Sequence, residues 1–196
     1  MVGVTRGRRI LFIGRDELQL NQDYYFNAFF YFPPQEEVLA LFKQIAAADE
    51  VRVLPNSKHL FHLDMAMSVL KPDTLALIEP VDEDGLDEDD RKVIVEMRRA
   101  LTEYGFHTVG VPTFADWVSS FKSPVNILPY ADRHSGHLRA IVPQFEERSV
   151  MENERAVQIY QKIIQVYSDA GVDVTFATSK FYPFNGNFHC AVIPIR

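Results

Sequence analysis

The sequence is poor in cysteine and tryptophan, with one of each among 196 residues. A single thiol excludes an internal disulfide framework and any metal centre built on several thiolates. No run of about 18 apolar residues occurs, so no helical membrane span is expected. Basic residues do not dominate either. Lys and Arg number 20 against 27 Asp and Glu, for a net charge of −7. A nucleic-acid binder would need a basic stripe that this chain lacks. An acidic surface agrees with a small cationic substrate and is also ordinary for a soluble cytosolic protein. The first nine residues include basic ones, but no apolar stretch of signal-peptide length follows them. The chain is therefore read as cytoplasmic. No low-complexity linker divides it, and 47% hydrophobic residues suffice to fill a core. A single domain over residues 1–196 is expected.

Three segments have helical periodicity. The first opens at Pro33-Pro34 and carries Val38, Leu41, Phe42 and Ile45 on one face. The second follows the acidic run 82–90 and carries Ile94, Met97, Leu101 and Tyr104, then stops at Gly105. The third begins near Glu152 and carries Val157, Tyr160, Ile164 and Tyr167, then stops at Gly171. A short β-like run follows each helix, at 51–54, 106–111 and 172–176. Two strands precede each of the last two helices: 61–70 and 74–79, then 125–128 and 138–142. The chain thus reads as an α/β protein of repeated strand–strand–helix–strand (ββαβ) units, about three of them. The helices start roughly 50 to 65 residues apart, a spacing that suggests propeller-like repetition.

The stretch from Tyr24 to Phe32 is dense in aromatic residues. It reads either as a loop or helix buried on the core, or as a self-association surface, since aromatics concentrate at interfaces. Trp117 is expected in the core. The acidic run 82–90 lacks the ligand order of a calcium loop and reads as a solvated helix cap. His134 and His137 flank Ser135-Gly136 in a hairpin turn. No metal or cofactor is expected.

The chemistry-bearing residues lie in two segments. If residues 62–70 form a strand, His62, Asp64, Ala66 and Ser68 share one face, and Leu63, Met65, Met67 and Val69 the other. The apolar face belongs in the core. The small polar face suits a pocket wall, where Asp64 can orient His62 or bind a cation and Ser68 can meet substrate. The second segment runs from Asn185 to Cys190. Its turn-forming residues, with Gly186 and Asn187, let the backbone approach a ligand closely. Cys190, the lone cysteine, follows this turn at the start of a final strand. A neighbouring cation or positioned histidine would stabilise its thiolate as a nucleophile. On a strand His189 would face away from Cys190, which leaves His62 as the working partner.

A His-x-Asp strand, followed far downstream by a glycine-containing turn that ends in His-Cys, resembles the pentein superfamily of guanidino-group-modifying enzymes. That superfamily includes arginine and agmatine deiminases, dimethylarginine hydrolases and amidinotransferases. Phe188-His189-Cys190 looks most like the amidinotransferases, and Val142-Pro143-Gln144-Phe145 more like the agmatine deiminases. The family fold is a propeller of five ββαβ units, and the resemblance covers its C-terminal units only. The upstream Glu-Gly-Gly-Asp/Asn segment of the family is absent, and its Gly-Gly-Gly turn is Asn185-Gly186-Asn187 here. The stretch 8–14, followed by Arg15-Asp16-Glu17, looks like the strand just after that missing segment.

The resemblance implies a small cationic guanidino substrate. Cys190 would attack it, His62 would transfer protons, and Asp64 is the one assigned carboxylate. It leaves hydrolase and transferase both open. The alternative is a non-catalytic pentein-like module that binds a small molecule or a partner. Three units cannot close a ring of five, so an open apolar side is implied. A homodimer that buries the 24–32 aromatics would cover it.

Overall fold

The structure, a computed structural model, describes residues 1–145 and 150–178. The segment read from the sequence as turn and nucleophile, with Gly186, Asn187, His189 and Cys190, lies outside the described residues.

Strand β1 (Val2–Thr5) pairs antiparallel with β2 (Arg8–Gly14). The chain then forms α1 (Arg15–Phe29) and α2 (Gln35–Ile45) before β3 (Glu50–Leu54) returns parallel to β2. A parallel pair needs such a crossover, because a tight turn can only reverse the chain. Strand β2 is central and buried from Ile10 to Gly14, hence its near-continuous apolar run.

The second unit begins with a single helical turn, α3 (Leu63–Ala66), and continues into β4 (Met67–Lys71) and β5 (Thr74–Pro80). Helix α4 (Glu88–Tyr104) then crosses over to β6 (His107–Thr113). The bounds of α4 follow from its sequence. The Asp87 carboxylate accepts a hydrogen bond from the Asp89 N–H at 2.9 Å. Three more acidic residues in the first turn oppose the positive end of the helix dipole. Gly105 ends the helix at φ 84, a left-handed conformation that glycine adopts without a Cβ penalty. The stripe Val93, Ile94, Met97 and Leu101 is buried.

The third unit comprises α5 (Ala115–Ser119), β7 (Leu128–Ala131), β8 (Leu138–Gln144), α6 (Val150–Asp169) and β9 (Asp173–Thr178). Its sheet again combines an antiparallel hairpin with a parallel third strand. The described residues therefore hold three three-stranded sheets of one topology, in the orders β1-β2-β3, β4-β5-β6 and β7-β8-β9. The ββαβ repeat expected from the sequence is the architecture. No helix among the described residues is long and apolar enough to cross a membrane.

The second unit joins the other two. Strand β1 packs beside β4, and α6 packs on β6. One core runs through all three units, from Ile10 and Phe12 through Met97 and Trp117 to Ile163 and Tyr167. A smaller cluster of Leu11, Ile13, Leu18, Val38 and Ala48 sits under α1 and α2.

Several expectations are corrected. Residues 62–66 are not strand: the chain makes the α3 turn there, and β4 starts only at Met67. That turn buries Leu63, Met65 and Ala66 together. Its backbone carbonyls are met from the third unit, where Asn126 donates to Asp64 and Ser123 donates to Met65. The polar face of alternating residues therefore does not exist as such. The first expected helix is α2, but of its apolar face only Val38 is buried, and Ile45 is 73% exposed. In α6 the buried stripe is Ala156, Ile159, Tyr160, Ile163 and Tyr167, with Val157 and Ile164 turned outward. The first strand of the third unit starts at Leu128, three residues later than expected. The reading of 24–32 as buried is overturned. Phe30 is 88% exposed, and Tyr24, Phe26, Phe29, Tyr31 and Phe32 are exposed as well. Trp117 is in the core, as read from the sequence, and the run 82–90 caps α4 through Asp87, but its Asp90 is buried where a solvated residue was expected.

Candidate active site

The site forms where the first and second units meet, at the C-terminal end of β2. The strand ends at Gly14, and α1 starts at once, placing Glu17 in the first helical turn. Gly14 is required by close approach. A Cβ there would lie 1.8 Å from Glu17 Oε2 and 2.8 Å from the Asn56 amide. Without it, the Glu17 carboxylate folds back over the end of the strand.

The β3–α3 connection brings the second half of the site. Its Asn56 accepts a hydrogen bond from the Asp16 N–H at 3.1 Å and donates to the Leu60 and Phe61 carbonyls. One amide side chain thereby pins the connection to the start of α1. His62 then caps the α3 turn in extended geometry, at φ −112 and ψ 142. Its Nδ1 faces Glu17 Oε1 at 3.6 Å, with the imidazole about half exposed. At this distance the contact is an ion pair when the imidazole is protonated. Asp64 follows within the same turn. A cleft of about 280 Å³, lined by Asp16, Glu17, Gln19, Leu20, Phe61 and His62, opens beside the pair.

The site carries negative charge. The Met1 amino group donates to the Phe12 carbonyl at 2.9 Å. Burial pushes its pKa below the ordinary value, while the Glu17 and Asp64 carboxylates push it up. Both carboxylates thus act on the Met1 amino group, which sits beside Phe12 of β2. Glu17 Oε2 is buried with no hydrogen-bond partner among the described residues, which leaves an acceptor for a ligand N–H.

Of the residues read from the sequence, His62 lines this cleft, and Asp64 follows it in the α3 turn without lining the cleft. Ser68 lies on β4, buried in the interior, and does not line the cleft; its hydroxyl has no partner among the described residues. Glu17 was not foreseen. The signal for it was present: a buried strand that stops at a glycine, followed directly by Arg15-Asp16-Glu17. A larger cleft, of about 430 Å³, runs along α4 between Pro80, Leu86, Ile94 and Val95. It brings no nucleophile or histidine together. No cluster of potential metal ligands occurs among the described residues.

No protein-family model and no curated protein matches the chain. Solved structures do match. Agmatine deiminase from C. jejuni is 17% identical, with 97% of this chain and 52% of that chain covered at a TM-score of 0.57. A structure of that enzyme with substrate bound gives 14% identity, 96% and 52% coverage and the same TM-score. A Porphyromonas gingivalis protein assigned as an arginine deiminase gives 14% identity, 81% and 46% coverage and a TM-score of 0.55. The chain spans about half the length of these structures. At such identities the likeness establishes the fold, and this chain is a pentein-fold protein that carries three successive ββαβ units.

Proposed function

We propose that the chain is a guanidino-group-modifying enzyme, a deiminase or amidinotransferase, whose reaction runs through Cys190, His62 and Asp64 with Glu17 as a further carboxylate. The observation that carries the proposal is the meeting of Glu17 and His62 at one cleft that Asp16 also lines, with Asp64 two residues on in the α3 turn. The nature of the fold's solved examples adds to it.

A guanidinium is planar, cationic and resonance-stabilised, so water attacks its carbon poorly. Two carboxylates hold the cation in place. The Cys190 thiolate forms a bond to the guanidinium carbon. One C–N bond then breaks, and its electron pair leaves with the amine, which takes a proton from the His62 imidazolium. The product is a covalent thiouronium. His62, now neutral, removes a proton from water or from a second amine, which adds to the same carbon. The C–S bond breaks and restores the thiolate. Dividing one difficult substitution into two steps is the gain of covalent catalysis. Gly186 and Asn187 would let backbone approach the substrate. The lone cysteine agrees with a reducing, cytoplasmic setting.

The assembly belongs to the same proposal, with a second copy of this chain covering the aromatic face. Tyr24, Phe26, Phe29, Phe30, Tyr31 and Phe32 are between 48% and 88% exposed. At ~200 Å² per exposed aromatic side chain they present on the order of 700 Å². That is close to the ~800 Å² that each partner gives to a standard interface.

The experiment measures release of ammonia from agmatine and arginine, and amidino transfer to glycine, by the chain and by Cys190→Ser. Turnover lost in Cys190→Ser, with a covalent adduct seen by mass spectrometry in the unsubstituted chain, is the expected result. Binding of these compounds with no turnover by either protein would favour the non-catalytic module.

A further inference from the structure

One acidic residue of the α4 cap region is not solvated. Asp90 is 1% exposed, although its neighbours Asp87, Glu88 and Asp89 face water. Burying a carboxylate is costly unless its oxygens are matched. Here one oxygen accepts from the Ser57 hydroxyl, and the other lies 2.8 Å from His59 Nδ1. Ser57 in turn accepts from the Leu60 N–H at 3.1 Å. Three residues of the β3–α3 connection are thus fixed to the start of α4.

The same connection ends at His62, and aromatic rings link the two. His59 lies 6.0 Å from the Phe121 ring by centroids, and Phe121 lies 5.6 Å from Phe61 at 73°. Phe61 meets His62 edge to face at 4.6 Å and 75°. Phe121 itself holds a left-handed backbone at φ 58. A residue with a bulky side chain occupies that region only when its surroundings impose it. The strained residue is the one whose ring fills the gap between His59 and Phe61.

We propose that the Ser57–His59–Asp90 cluster, acting through Phe121 and Phe61, is a brace that sets the position of the His62 imidazole against Glu17. These are positioning residues: among them only Phe61 lines the cleft. The role rests on the reading of His62 as the proton-transfer group. A catalytic imidazole has to be held within a fraction of an ångström, by packing and hydrogen bonds of supporting residues. Here the half-exposed ring of His62 receives that support from the opposite side of the connection.

The test is a two-dimensional NMR spectrum of the histidine ring protons in the full chain, with the His62 signal assigned by its loss in His62→Gln. Phe121→Leu keeps apolar bulk but removes the ring that holds Phe61. The His62 ring signals should shift, because the ring current of Phe61 no longer falls on them from the same angle. The signals of His107, His134 and His137 should stay in place. His59→Gln retains an N–H donor toward Asp90 and should shift His62 less than His59→Leu does. An unmoved His62 signal in Phe121→Leu, or equal shifts in the two His59 variants, would overturn the brace. If Phe121→Leu does not fold, Ser57→Ala decides by the same measurement: a moved signal supports the brace and an unmoved one removes it. No substrate enters the experiment. A chain without turnover whose His62 signal moves would sink the proposed function and leave the brace standing.

Discussion

The decisive contact is between two residues of modest exposure, Glu17 and His62, and it depends on the hydrogen atom that replaces a side chain at Gly14. In Gly14→Ala the added methyl collides with the end of the Glu17 side chain, 1.8 Å away. That carboxylate can swing outward, so the fold should survive while the site does not. Expected is a small change in melting temperature together with a roughly 10- to 100-fold loss of kcat/KM, the scale on which a displaced catalytic group is felt. Thermal unfolding and turnover assays on the same preparation check it. A loss of stability that matches the loss of activity would show Gly14 to be structural only.

Tyr167 gives a pH prediction of a different kind. Its ring is buried, its hydroxyl donates to the Pro124 carbonyl at 3.3 Å, and burial pushes its pKa well above the ordinary value. Below the ordinary tyrosine pKa of about 10 both the folded and unfolded chains hold the proton, so the contribution is fully present there. At higher pH the unfolded chain releases the proton and the folded chain does not, so stability falls as pH rises. Tyr167→Phe should cost about 1 kcal/mol at neutral pH through the lost hydrogen bond. It should also flatten the alkaline limb of a urea-unfolding series. An alkaline limb as steep as in the unsubstituted chain would assign the loss to other groups.

Among the elements, α4 is the one whose limits are written most clearly in local chemistry. Asp87 accepts from the Asp89 N–H and opens the helix, and Gly105 closes it in a left-handed turn. Asp87→Ala should destabilise the protein by about 1 kcal/mol, read as a lowered denaturation midpoint with an unchanged slope. The element carrying His62 behaves in the opposite way. Its residues 62–69 place small or polar side chains at every second position, as a strand would. The chain nevertheless makes a helical turn through Ala66, because Ser123 and Asn126 of the third unit take up the carbonyls that a strand would have paired. Helix α1 is another case. Its residues show weak amphipathicity, and the aromatics at its end read equally well as core. Only the packing of α1 on β2, β3 and α2 decides that they face outward.

For the whole molecule the open question of physics is the aromatic face. Monomers rarely present contiguous apolar surface on this scale. Multi-angle light scattering at micromolar concentration should give twice the chain mass. Phe29→Ser combined with Phe30→Ser should return the monomer without loss of helical signal. A monomeric unsubstituted chain would leave the face to a different partner. The three units also show how repetition bears on the site. Each sheet has the same strand order, yet the cleft lies between the first unit and the second, with α1 on one side and the β3–α3 connection on the other. Sequence-distant residues meet there because the units pack side by side.

The sequence by itself determined the repeat. Helical stripes closed by Gly105 and Gly171, each followed by a β-like run, are local signals that short-range chemistry enforces. His62 and Asp64 were legible for the same reason, as a polar pair within an otherwise apolar segment. The tertiary structure decided what depends on distance. It turned 62–66 into a helical turn, buried Ser68 away from the cleft, and exposed the aromatics that composition alone would place inside. It also brought Glu17 to His62 across 45 residues of chain. No periodicity encodes that contact. It follows from a glycine at the end of a buried strand and from one asparagine that ties two connections together.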